Sequence, residues 1–384
     1  MQAPLIAARS NRSLWIVGGG IALFALILRC GFVVEQYDGD MELFVYMGKL
    51  CGQGGRIGIE LIDNKLPLVG PLMWPAYALI GGWWAGYAIL SIVLATAAVL
   101  AITAATTIVR PSSRWPTLAM AAVWIYFPLA VSAAFKLEHV QIFTGALAAW
   151  FILRCWKNKK GVDAFAAGLI AGIGTMAKPT ALSVIAAAAA AMLIWGDVPW
   201  KTRFRLSLCA LAGVSVAGAA ELAYLIKSGA ITAVPSLMEQ IRFYNSNSVW
   251  VRDTVLVKIL STLFILGGPL AIRGFAERKR AEPTLDGEWV PRVFAIAWWL
   301  IEFTGIVMQG RLYTYHFLPL MAPTALLFGL IPRRPSAITT IVAPFPVLFA
   351  STIWTFVIVI QTGPPEDRMA ANEYVKQHAA KGGL

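Results

Sequence analysis

Apolar residues recur along the chain in runs separated by short polar or basic stretches. The runs fall at roughly 14–33, 66–82, 85–109, 115–134, 140–155, 162–177, 180–195, 206–226, 256–272, 293–308, 316–331 and 336–361. Crossing a bilayer takes ~20 apolar residues as helix. Hydrocarbon offers no partner to an open peptide group, so the runs predict helices. The first run, Leu14 to Cys30, is too long for a removed signal peptide and lacks its small-residue cleavage site, so it counts as a span. The run at 66–82 is different. Pro67, Pro71 and Pro75 interrupt it and Gly81–Gly82 end it, which predicts a re-entrant or interfacial helix.

Composition strengthens the membrane assignment. Of 384 residues, 58% are hydrophobic and 14% charged, with a mean hydropathy of +0.69, whereas soluble domains carry about 25% charged residues. The net charge of +12 would suggest nucleic acid as the partner of a soluble protein. Here the basic residues mark topology instead. They cluster at Arg9/Arg12, Arg110/Arg114, Arg154 to Lys160, Lys201 to Arg205, Arg273 to Arg292 and Arg333/Arg334. Cytoplasmic loops hold the excess of Lys and Arg, and all six clusters share one side only if the run at 66–82 does not cross.

The sequence thus predicts an all-α integral membrane protein of about eleven transmembrane helices. A polytopic unit covers residues 1–362, with a cytoplasmic N-terminus and a long first outer loop at 34–84, and a short outer tail covers 363–384. Twelve of the 20 acidic residues then lie outside. A second outer segment, Lys227 to Thr254, carries Phe243, Tyr244, Asn245, Asn247 and Trp250; loops of this length are usually functional. Cys30, Cys51, Cys155 and Cys209 lack metal-binding spacing and imply no disulfide framework. There is no fixed-period repeat, and the Ala-rich run from Ala186 to Met192 suits a packed membrane helix.

The densest chemistry follows the first run. VVEQYDGDMELFVYMGKL holds Glu35, Asp38, Asp40 and Glu42 within eight residues. Four carboxylates so close repel one another. They read either as a solvated acidic loop or as the source of a general base for an acceptor hydroxyl or amine. Elsewhere, FKLEHVQIF places Glu138 and His139 at the start of an apolar run, AGLIAGIGTMAKPTALSV places Lys178 at the end of one, and GRLYTYHFLPLMAPTALLFG carries Arg311, Tyr313, His316 and Pro319.

Taken in order, these segments resemble the GT-C membrane glycosyltransferases, in particular the group that includes protein O-mannosyltransferases and lipid A aminoarabinose transferases. DGDMELFVYMGKLCGQGG followed by IDNKLPL resembles the family's first outer loop, an acidic pair, spaced aromatics, a glycine and an Asp-Asn-Lys-Pro-Pro-like run. On that match Asp40 takes the place of the catalytic Asp, with Phe44 and Tyr46 on the aromatics. Met41 stands where the family usually has Glu, leaving Glu42 or Asp38 as the second acid. Asp63, Asn64 and Lys65 match, while Leu66 replaces the first Pro. Glu138 and His139 resemble the second outer acidic position, Lys178-Pro179 the end of a Gly-rich helix, and Arg311, Tyr313 and His316 a late motif.

The resemblance implies an inverting transfer of sugar from a polyprenyl phosphate or diphosphate to a lipid, glycan or protein acceptor. It places the enzyme in a plasma membrane, the inner membrane of a bacterium, with its site facing the periplasm or exterior. No nucleic acid is implied. Catalysis would fall to Asp40, Asp38 and Glu42. Donor and acceptor would be held by Asp63, Lys65, Glu138, His139, Lys178, Arg311, Tyr313 and His316. Each position also has a plainer account: Lys178 snorkelling at a helix end, Arg311 and His316 with Tyr313 and Tyr315 as an interfacial anchor. No cofactor is required, although Glu138 beside His139 offers two neighbouring ligands to a divalent cation. A lipid transporter or an inactive scaffold of the same fold is the rival class. Transporters place ionisable groups at mid-membrane, and here the carboxylates well inside apolar runs are Glu221 and Glu302, each expected near the outer end.

Overall fold

The computed structural model describes residues 39–61, 67–126, 135–195, 198–246, 265–273, 289–308 and 314–332, with Val347. Among them the regular structure is helical and there is no named strand. In chain order the helices are α1 (Gly39–Gly52), α2 (Val69–Ile80), α3 (Trp84–Val109), α4 (Arg114–Tyr126), α5 (Leu137–Asn158), α6 (Gly161–Thr175), α7 (Ser183–Ile194), α8 (Trp200–Ser228), α9 (Val234–Ser246), α10 (Trp289–Met308) and α11 (Met321–Leu330). Residues 265–273 are also helical. Short 3-10 turns at Pro179–Leu182 and Thr314–Leu320 lead into α7 and α11.

Among the described residues three helices are long and apolar enough to cross a bilayer: Ala85–Val109 within α3, Trp200–Ser228 and Trp289–Met308. At ~1.5 Å per residue, the 26 residues of α3 and 29 of α8 exceed a ~30 Å hydrocarbon core. The 12 residues of α2 reach only ~18 Å, too short to cross. Its outward side chains include Trp74, Leu79 and, just beyond its end, Trp83. Gly81 ends α2 with φ 64°, a conformation open to glycine, and the Tyr87 hydroxyl donates to its carbonyl at 3.0 Å. The span expected at 14–33, that at 336–361 apart from Val347, and the tail at 363–384 lie outside the described residues.

The sequence expectation of two long outer loops changes in detail. Both segments contain helices. In the first, α1 and α2 pack as a hairpin whose core is Met41, Phe44, Met47, Ile57, Val69 and Met73. In the second, α8 continues to Ser228, and α9 follows after one 3-10 turn. The spacing of Val234, Leu237 and Ile241 gives α9 one apolar stripe. The break between the runs at 162–177 and 180–195 has a local cause. Pro179 disfavours helical backbone in the preceding residue, and Lys178 is extended at φ −153°, ψ 134°.

Contacts fix which helix ends lie together. At one end, Arg110 donates to the Ile331 carbonyl, Arg203 to Met192 and Leu193, Arg205 to Lys159, and Arg273 to Phe328 and the Ser113 hydroxyl. Most of these acceptors are carbonyls at or beside the C-terminal ends of α5, α7 and α11, where unsatisfied acceptors and the negative end of the helix dipole favour cations. At the opposite end lie α1, the starts of α3 and α5, the end of α6, and the 3-10 turns that lead into α7 and α11. The packing of α6 on α8 is closest. Gly168 faces the Ala210 backbone and Gly213 faces the Phe165 carbonyl, with no room for a Cβ at either.

Two outcomes are expected from this packing. Gly213→Ala forces α6 and α8 apart and is expected to destabilise by about 1–3 kcal/mol, whereas Gly218→Ala, with open space around it, is expected to be neutral or mildly stabilising. Thermal unfolding in detergent measures both, and equal effects would remove the proposed tight contact. In a background without native cysteines, exposed Gln53→Cys and Lys160→Cys are expected to react with an impermeant thiol reagent from opposite sides. Labelling of both from one side would contradict the alternation of ends.

Candidate functional site

The site is built on the first turn of α5. Phe135 and Lys136 approach it as extended chain, with Lys136 at φ −125°, ψ 154°. The Lys136 N–H donates to His139 Nδ1 at 3.0 Å, so the imidazole caps the helix that carries it. Its ring stacks on Phe135, with centroids 6.1 Å apart. Phe135 in turn meets Phe44 of α1 and Tyr87 of α3 edge-on. These aromatic contacts fasten the α1–α2 hairpin to the bundle and set where Asp40 sits.

Two ion pairs flank that turn. Lys136 Nζ lies 2.8 Å from Asp40 Oδ2 and 4.8 Å from the centre of the Tyr315 ring. The lysine side chain is 4% exposed, whereas 29% of the Asp40 side chain remains open. The Asp40 carboxylate is therefore partly accessible while Lys136 neutralises it from within. Two residues further on, Glu138 is buried, and its Oε1 accepts a hydrogen bond from Lys178 Nζ. His316 Nε2 lies 3.9 Å from the same oxygen. Glu138 also sits in the first turn of α5, where the helix dipole favours negative charge.

A second polar layer lies beneath. Gln141 Nε2 donates to Thr180 Oγ1 at 2.8 Å and to Glu302 Oε1 at 2.6 Å, and the Ser183 hydroxyl bonds Glu302 Oε2. On α8, Glu221 accepts from Thr175 at 2.7 Å.

Of the residues singled out in the sequence, the fold brings Asp40, Glu138, His139, Lys178 and His316 to one end of the bundle. His139 acts there as a helix cap. Glu42 is exposed and lies roughly 200° around α1 from Asp40, so it does not join the cluster. Met41 is buried in the hairpin core. Asp38, Asp63, Lys65, Arg311 and Tyr313 lie outside the described residues. Sequence reasoning missed Lys136 and Gln141. The signal was present in FKLEHVQIF, a lysine and a glutamine inside a stretch otherwise approaching a buried helix. Among the described residues no three His, Cys, Asp or Glu side chains gather as a metal site.

The arrangement offers a partly exposed carboxylate paired with Lys136 and, two residues along the chain from that lysine, a buried acid shared by an ammonium and an imidazole. Such a site can accept a proton on one side and meet negative charge on the other. The sequence matches no known family model and no curated protein.

Removing one member of a buried pair strands the other. Lys178→Met is expected to destabilise by about 3 kcal/mol, and adding Glu138→Gln is expected to recover part of that loss. Unfolding curves for both single variants and the double variant give the coupling. Strict additivity would show that the pair contributes nothing as a unit.

Proposed function

We propose that the protein is a polytopic membrane glycosyltransferase of GT-C type that transfers a sugar from a polyprenyl-phosphate carrier to a lipid, glycan or protein acceptor. The observation that carries this is the meeting of Asp40, Glu138, Lys178 and His316. They come from four sequence segments that each resemble a GT-C motif, and they lie within reach of one helix end. About eleven crossings, a cytoplasmic N-terminus and a site facing outward complete the proposal. The arginine-capped end would then face the cytoplasm, as the excess of Lys and Arg there favours.

In the reaction, the acceptor oxygen attacks the anomeric carbon as its proton passes to the partly exposed Asp40 carboxylate. The bond from that carbon to the phosphate oxygen breaks, and the electron pair leaves with the lipid phosphate. Inversion follows from attack opposite the leaving group. Lys178 and His316 meet the charge that accumulates on the phosphate, while the resemblance offers Arg311 and Lys65 as further cations and Asp63 and Tyr313 as further binding residues; His139 holds the start of α5. Lys136 balances the Asp40 carboxylate before the proton arrives. A hydrocarbon-borne donor also suits a chain whose described helices are mostly apolar: the donor tail stays in the bilayer while its head reaches the boundary.

Asp40→Asn keeps size and polarity but removes the proton-accepting oxygen. Transfer is expected to fall by ~10²–10⁴-fold with donor binding retained. Proteoliposomes supplied with polyprenyl-phosphate-linked sugars provide the assay, and near-normal transfer by Asp40→Asn would end the assignment of the base.

A further inference from the structure

Beneath the Glu138–Lys178 pair, Glu302 is 2% exposed inside α10. No cation lies within ion-pair distance of it among the described residues. A buried carboxylate is costly unless paired or well hydrogen-bonded, and ionisable groups within membrane helices mark function by default. Both Glu302 oxygens are bonded, one to Gln141 Nε2 at 2.6 Å and the other to the Ser183 hydroxyl. The same Gln141 nitrogen reaches Thr180 Oγ1 at 2.8 Å.

The positions of these partners give the network its meaning. Gln141 lies three residues after Glu138, on the same face of α5. Thr180 lies two residues after Lys178, in the 3-10 turn that Pro179 opens, and Ser183 is the first residue of α7. One carboxylate of α10 thus ties down the helix that presents Glu138 and the turn that presents Lys178. Lys178 itself stands at a break between two helices, where the local backbone bonds are its own N–H to Gly174 and its carbonyl to Ala181. A groove of about 480 Å³ between α7 and α10 passes over Thr180, Ser183, Thr304 and Gly305, so the turn has open space on that side and takes its support from the network.

Building on the proposed phosphate-binding role of Lys178, we infer that Glu302 is a positioning residue. Through Gln141, Thr180 and Ser183 it holds the Lys178–Pro179 turn in register with Glu138, and so sets the geometry in which a lipid phosphate is met. The role requires hydrogen bonding, not charge. Glu302→Gln can accept from Gln141 through its carbonyl and donate to Ser183 through its amide, so it should preserve the arrangement. Glu302→Leu leaves Gln141 and Ser183 buried without that partner.

The full-length protein in nanodiscs separates the possibilities. Hydrogen exchange of the 176–183 segment needs no ligand: it should be unchanged in Glu302→Gln and accelerated about tenfold in Glu302→Leu, with α3 unaffected. Thr180→Val keeps side-chain shape and should accelerate the same segment by a smaller factor, and it serves if Glu302→Leu does not fold. In parallel, preference for a long-chain polyprenyl monophosphate over the corresponding polyprenol should persist in Glu302→Gln and weaken about tenfold in Glu302→Leu, with polyprenol binding constant. Unchanged exchange in both Glu302→Leu and Thr180→Val overturns the inference, as does a Glu302→Gln variant as impaired as Glu302→Leu. Absence of phosphate preference in the wild-type protein, with the exchange pattern as expected, instead overturns the transferase proposal and leaves the positioning of the turn established.

Discussion

Peptide groups placed in hydrocarbon have no water to bind, and that constraint bears on the described helices that are long and apolar enough to cross a bilayer. It forces the chain into helices that satisfy themselves internally, and it leaves helix ends as the places where polar chemistry can be built. The ends are not equivalent. At the C-terminal ends of α5, α7 and α11, orphan carbonyls are met by Arg205, Arg203, Arg110 and Arg273. At the start of α5 the dipole has the opposite sign, and there Glu138 is tolerated in a buried position. Several of the arginines that mark topology in the sequence are therefore also caps.

Neutralisation within the acidic end constrains what can bind there. Asp40 is balanced by Lys136, and Glu138 by Lys178 with His316 nearby. An incoming anion must compete with Glu138 for the same ammonium, so charge alone gives it little advantage. A free phosphate has only charge to offer. A phosphate carried on a hydrocarbon chain is held in the bilayer beside the site, so its high effective concentration can make the exchange favourable without a strongly positive pocket. That physical argument favours a lipid-borne ligand within the proposed function, and it accounts for a site whose cations are already engaged.

Much of this was legible because the relevant signals are long or local. The lengths of the runs at 85–109, 206–226 and 293–308 anticipated three long helices, and three prolines anticipated a short α2. Lys178 and His316 stood out because they fall in segments that resemble known motifs. Lys136 did not, since its partner lies 96 positions away, and no local pattern encodes a contact of that separation. His139 was legible as a polar residue near the site but not as a helix cap, because that role depends on the extended backbone at Lys136. The two outer loops proved partly helical for a related reason: α1 is stabilised by packing on α2, a tertiary effect that outweighs the glycines and prolines around it.

The position after Asp40 shows how the helix settles a question the sequence leaves open. On α1, Met41, Phe44 and Met47 share the buried face, at 2%, 2% and 0% exposure. A glutamate at 41 would direct its carboxylate into that face, among Phe135, Tyr87 and Val140, and burying it unpaired would cost several kcal/mol. Methionine instead fills the space with a flexible apolar chain. Glu42 cannot take over, since it projects to the far side of the helix. The charge that complements Asp40 therefore comes from another element altogether, the lysine that precedes α5. In this chain Asp40 meets a base from across the bundle, which keeps the hairpin core apolar; Asp38, the other acid expected to complement it, lies outside the described residues.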